Sequence, residues 1–119
     1  HNKVVLKIDI EGDEYKILND IKKNSKKIFF LLIEFHNVHK NLIKIRNFIR
    51  KSDLKIIHIH ANNYGGIDKN GNPKVIELSM LNSKKIKINR ILSKRKYPII
   101  DLDYKNFKRR EDIKIEFNK

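Results

Sequence analysis

Three times in its first half the chain runs apolar for a few residues and then ends in polar side chains, and this repeated asymmetry is the strongest constraint on its fold. Val4, Val5, Leu6, Ile8 and Ile10 make a near-continuous apolar stretch that finishes in Asp9, Glu11 and Gly12. Residues 27–35 finish in Glu34, His36 and Asn37, and residues 54–61, "LKIIHIHA", finish in His58, His60, Asn62 and Asn63. Short β-branched and aliphatic runs of this kind suit strands covered on both faces. Between them the spacing changes to helical. Ile17, Leu18 and Ile21, with Tyr15 nearby, predict a helix over 13–23; Val38, Leu42, Ile45 and Ile49 predict a second, with Lys40, Lys44 and Arg46 toward water. Glu11, Asp13 and Glu14 stand where a helix N-terminus favours negative charge, and Asn37 is placed to cap the second helix.

Strands joined by helical crossovers run parallel. A fourth strand, residues 74–81 ("KVIELSML"), follows a polar loop, "NNYGGIDKNGNP", that is too rich in turn residues to hold a helix, so the last two strands are expected to pair antiparallel. The predicted order is β-α-β-α-β-β over residues 1–82. Residues 83–119 read as a basic extension: "SKKIKINRILSKRKY" is helix or irregular, and "EDIKIEF" alternates like a short edge strand.

In an open α/β sheet the carboxyl ends of parallel strands share one edge, and ligands bind in the crevice outside it. The polar strand ends therefore predict one site built from three segments. Asp9 draws attention because an unpaired carboxylate within an apolar strand would be costly. Each candidate also has a plainer role open to it: dipole complementation or capping for Asp9 and Glu11, an ion pair for Glu34, a core or rim position for His36 and His60, and a turn for Asn62 and Asn63.

The succession "LKIDIEGDEYKIL", "FFLLIEFHNV", "IIHIHANNYGG" and "PKVIELSML" resembles the C-terminal half of the FkbM-type family of S-adenosylmethionine-dependent methyltransferases. The family's Asp-Ile/Val-Glu-Gly-x-Glu signature is matched by Asp9, Ile10, Glu11, Gly12, Asp13 and Glu14. The similarity covers about residues 4–81, and "YPIIDLDYKNF" looks like the family's closing segment. The resemblance implies a Rossmann-like class I methyltransferase fold, of which these would be the fourth to seventh strands, the last antiparallel. It implies methyl transfer from S-adenosylmethionine to a hydroxyl oxygen of a sugar or secondary metabolite. Asp9, then His36, would take the hydroxyl proton, Glu11 and Glu14 would orient the acceptor or support the turn, and Glu34, His60, Asn62 and Asn63 would line the acceptor side. The glycine-rich turn that cradles the cofactor in such folds does not precede Asp9, so no cofactor-binding residue is named. The expectation is half an enzyme, inactive alone and prone to self-association through an exposed strand edge.

A net charge of +14 in 119 residues raises a second reading, a small basic α/β module that binds nucleic acid or anionic surfaces through "SKKIKINRILSKRK" and "KNFKRR". A composition rich in Lys, Ile and Asn together accounts for that charge without such a partner, and the basic segment lacks interleaved aromatics, so nucleic acid is not expected. The absence of cysteine excludes disulfides and thiolate metal sites. A divalent metal held by Asp9 with Glu34 or His36 is compatible with the ligand types, yet no spacing requires one and none is predicted. Residues 28–33 form the longest uninterrupted apolar run, far short of the roughly 20 residues that span a bilayer. No membrane span is expected, and without a recognisable signal peptide the expected location is cytoplasmic.

Overall fold

The computed structural model describes residues 3–87 and 93–117. The elements follow in the order β1 (Val4–Ile8), α1 (Glu14–Lys23), a 3-10 turn (Ser25–Lys27), β2 (Ile28–Phe35), α2 (Val38–Lys51), β3 (Leu54–Ala61) and β4 (Ile76–Asn82). They form a mixed four-stranded sheet in the order β1-β2-β4-β3. β1 pairs parallel with β2, and β4 pairs antiparallel with both β2 and β3. β1, β2 and β3 therefore point the same way, with β4 reversed between the last two. None of the described helices is long and apolar enough to cross a membrane.

Alternation along the strands separates two faces. Ile8, Leu31, Ile33, Phe35, Ile76, Leu78 and Met80 point to one side and merge with Leu18 and Ile21 of α1 and Val38, Ile45 and Phe48 of α2 into one core. Phe35 lies at its centre, with the Tyr15 ring 5.7 Å and the Phe48 ring 6.5 Å away, centroid to centroid. Burial at about 25 cal/mol per Å² of apolar surface makes this face the main source of stability. It also fixes the register, because a slip by one residue would turn the whole apolar set outward.

The opposite face follows from that register. Lys7 aligns with Leu32, Leu32 with Ser79, and Ser79 with His58; one step on, Glu34 aligns with Glu77 and Glu77 with His60. Asp9, just past β1, continues this last row. Holding one face apolar thus places a line of acids and imidazoles across the other.

Several expectations change. β1 is an edge strand with Val4 and Val5 exposed, not a strand covered on both faces. On α2, Phe48 takes the core place expected of Leu42, which is exposed. Asn37 holds the N-cap position in left-handed backbone without a side-chain capping bond. The segment "EDIKIEF" makes no strand among its described residues, only an isolated bridge from Ile115 to Tyr97. Residues 88–92 of the helix-or-irregular segment 83–97 lie outside the described residues; the described parts are turn and irregular up to the Tyr97 bridge.

After Ser93 the chain returns across the second face. Tyr97 is buried, and residues 97–112 form a strap over the β3 and β4 side. Asn63 anchors it: its Nδ2 donates to the carbonyls of Phe107 (3.0 Å) and Arg110 (3.1 Å), and its Oδ1 accepts the Phe107 N–H (2.8 Å).

Candidate functional site

The codirectional ends of β1, β2 and β3, the reversed start of β4 and the strap enclose a groove of about 820 Å³. Asp9, Glu11, Glu34, His36, His60 and Asn62 line it. These residues come from separate segments, and the parallel crossovers are what bring them together.

The first wall is made by the turn after β1. Glu11 and Gly12 both have positive φ, 54° and 107°, and glycine at position 12 adopts without strain a backbone conformation that other residues rarely take. This tight turn starts α1 at Glu14, whose side chain folds back so that Oε1 accepts the Gly12 N–H at 3.0 Å. The same oxygen lies 2.7 Å from His36 Nδ1, while Oε2 has no partner among the described residues. Glu14 is wholly buried. Burial works against its charge, but the Gly12 and His36 bonds outweigh it and hold the carboxyl below its ordinary range. A second tie comes from the Tyr15 hydroxyl, which donates to the His36 carbonyl.

His36 is thus fixed at both backbone and ring. Its Nε2 faces the groove, 3.1 Å from Glu34 Oε1 and 3.5 Å from Glu11 Oε2. Burial disfavours its protonation, yet Glu14 first, then Glu34 and Glu11, raise its pKa above the usual imidazole value. Glu34 goes the opposite way from most carboxylates. Burial, a hydrogen bond with Glu77 and the charges of Asp9 and Glu77 push it up to about 7, against the opposing donation from Asn62. Asn62 Nδ2 lies 3.4 Å from both Glu34 oxygens.

On the β3 side each histidine also has a carboxylate partner. His58 Nε2 lies 2.7 Å from Asp103 Oδ1, and His60 Nδ1 lies 3.3 Å from Glu77 Oε2. The bond to Glu77 is the main reason that the His60 pKa is raised, and the same bond is the main reason that the Glu77 pKa is lowered. Asn106 Nδ2 donates to the other Glu77 oxygen at 3.0 Å. The groove therefore holds neighbouring acids pushed apart in pKa, one able to keep a proton near neutrality and one ionised, together with imidazoles of fixed orientation. That is the arrangement needed for proton transfer.

Two of the candidate acceptor residues do not reach the groove, and of the two roles open to Glu14 it takes the support of the turn. Glu14 is sealed beneath the turn, where it orients His36, and Asn63 is spent on the strap. Neither lines the groove. Asp9 does, but β1 ends at Ile8 and Asp9 is exposed, so the burial cost that first singled it out does not arise. Glu77 is the residue that sequence reasoning missed. Its signal was present, because Ile76, Leu78 and Met80 facing the core require Glu77 and Ser79 to face the other way. Asp103 and Asn106 had no such signal; they arrive from a segment without periodicity.

No protein-family model matches the chain, and neither does any curated protein or solved structure.

Proposed function

We propose that the chain is the acceptor-side half of an S-adenosylmethionine-dependent methyltransferase of the FkbM type, acting on a hydroxyl of a sugar or secondary metabolite. The observation that carries this reading is the single groove at the ends of three codirectional strands, with Asp9, Glu34 and His36 at one corner and His60 and Asn62 along the wall. A reversed last strand paired with the third is also what a class I methyltransferase half would have. The free edge of β1, with Val4 and Val5 exposed, offers a place where a further parallel strand carrying the cofactor turn would pair.

Methyl transfer needs the acceptor oxygen in line with the sulfonium methyl and a group to receive the hydroxyl proton. Asp9, exposed at the groove, is the first candidate for that proton and His36 the second, its ring held by Glu14. Glu11, Glu34, His60 and Asn62 would orient the acceptor's remaining hydroxyls.

The test follows methyl transfer from labelled S-adenosylmethionine to a panel of hydroxylated acceptors by the complete protein. Asp9→Asn should leave cofactor affinity nearly intact and slow turnover by 100-fold or more, in line with the roughly 10²–10⁴-fold worth of a positioned base. Unchanged turnover would remove Asp9 from the mechanism. Failure of the complete protein to bind S-adenosylmethionine by calorimetry would end the methyltransferase reading itself.

A further inference from the structure

The corner of the groove where β1 and β2 end gathers acidic side chains without an ion-paired lysine or arginine among the described residues. Asp9, Glu11, Glu34 and Glu14 converge there on one imidazole. The chain has 28 Lys and Arg residues, yet among the described residues none forms a salt bridge with any of these four acids. In so basic a chain a solvated acidic surface would readily acquire a lysine partner. Lys7 lines the same groove but forms no salt bridge with any of the four.

His36 sharpens the point. Its Nδ1 is held 2.7 Å from the buried Glu14 carboxylate, so in the neutral ring the proton sits on Nδ1 and the Nε2 lone pair faces Glu34 Oε1 at 3.1 Å. That contact needs a proton or a cation between the two atoms: a proton on Nε2 or on Glu34 serves, and a metal ion competes for the same place. The carboxylate that fixes the ring is also half unsatisfied: Glu14 is wholly buried and its Oε2 has no partner among the described residues. A buried carboxylate behind a histidine, directing the other ring nitrogen forward, is the arrangement by which proteins orient metal-ligating imidazoles.

We propose that Asp9, Glu34 and His36 Nε2 form a binding site for one divalent transition-metal ion, with Glu14 as the positioning residue behind His36. Each of the three offers one ligand atom, and these atoms all lie within 4.8 Å of one another. Ligands about 2.1 Å from an ion stand up to about 4.2 Å apart, so the set closes by a small rotation of the exposed Asp9 side chain. Two carboxylates and an imidazole suit Mn²⁺, Fe²⁺ or Zn²⁺ better than Mg²⁺ or Ca²⁺, which favour oxygen ligands alone. The groove leaves the remaining coordination positions open to water or to a ligand oxygen. A hydroxyl bound to such an ion loses its proton more readily, so the site is compatible with the proposed reaction but does not depend on it.

The experiment uses the chelator-treated chain alone, without S-adenosylmethionine or acceptor, titrated with MnCl₂ while free Mn²⁺ is followed by electron paramagnetic resonance. One saturable ion per chain is expected, with Mg²⁺ competing only at a large excess. Asp9→Asn, a change at an exposed position that leaves the core untouched, should weaken binding at least tenfold, and His36→Gln should do the same. Glu14→Gln should weaken it by about 10–100-fold, the usual cost of losing the group behind a ligating histidine. His39→Gln, on the exposed first turn of α2, should bind as the parent does. Absence of stoichiometric binding by the parent chain, or parental affinity in Asp9→Asn, would overturn the site. Either result would leave the methyltransferase reading standing, because neither measurement involves the reaction.

Discussion

Of the side chains that tie the strap to the second face, Asn63 makes the most bonds to its backbone, and this makes it the most discriminating position to perturb. Its Nδ2 donates to the carbonyls of Phe107 and Arg110 and, at 3.5 Å, more weakly to that of Glu111, its Oδ1 accepts the Phe107 N–H, and the residue is 2% exposed. At about 1 kcal/mol net for each bond, Asn63→Ala should cost roughly 2–3 kcal/mol, the lower figure applying if the freed strap groups reach water. Asn63→Asp is nearly isosteric and should nevertheless be worse. The new carboxyl can still accept from Phe107, but where Nδ2 donated it turns an oxygen toward two carbonyl oxygens in a buried site. Protonation supplies one donor again, so the folded-state pKa of the new group should lie above the unfolded value near 3.9. The deficit is then smallest below that value and grows as pH rises through the folded pKa. Urea unfolding at pH 4 and pH 7 gives the free energies, and amide hydrogen exchange over residues 97–112 locates the loosening. If Asn63→Asp unfolds within about 0.5 kcal/mol of the parent at pH 7, or if exchange in the strap is unchanged, the assignment of Asn63 as its anchor is wrong.

Other consequences can be read separately. Asn82, 1% exposed, donates to the carbonyls of Ser25 and Ile28 at 2.8 and 2.9 Å and ties the end of β4 to the start of β2; Asn82→Ala should lower urea stability by about 2–3 kcal/mol while leaving the groove residues in place. Gly65 has no room for a methyl group, since a Cβ there would fall 2.4 Å from Val75 Cγ2. Gly65→Ala should lower the thermal midpoint by several degrees, and an unchanged midpoint would mean that the loop yields freely. His60 should titrate above 6.5 by NMR because of its bond to Glu77. With its folded pKa raised, the contribution of that pair is complete below about pH 6.5 and is lost as pH rises through the folded value, and Glu77→Gln should return the pKa toward normal.

The residues show why some of this was legible in advance. Apolar periodicity is local, and it gave the β-α-β-α-β-β order because burying Ile8, Ile33, Phe35, Leu78 and the inner stripes of α1 and α2 leaves few other arrangements. The same periodicity located Asp9, Glu34, His36 and His60, since a parallel crossover carries each strand end to the same edge. It misjudged β1, because apolar content alone cannot tell whether a neighbour is present to cover Val4 and Val5. It also missed the work of Glu14, whose place in a helix N-terminus suggested a dipole effect, whereas the turn at Glu11 and Gly12 directs it onto His36.

The sequence by itself determined which residues go inward, how the strands succeed one another and which end of the sheet is polar, since each depends on spacing along the chain. Only the tertiary structure decided that β4 enters between β2 and β3, that Glu77 joins the acidic row, that Asn63 holds a strap and that Asp103 meets His58. Those outcomes depend on contacts between segments far apart in sequence. Their energies come from geometry in three dimensions, which a one-dimensional pattern does not carry.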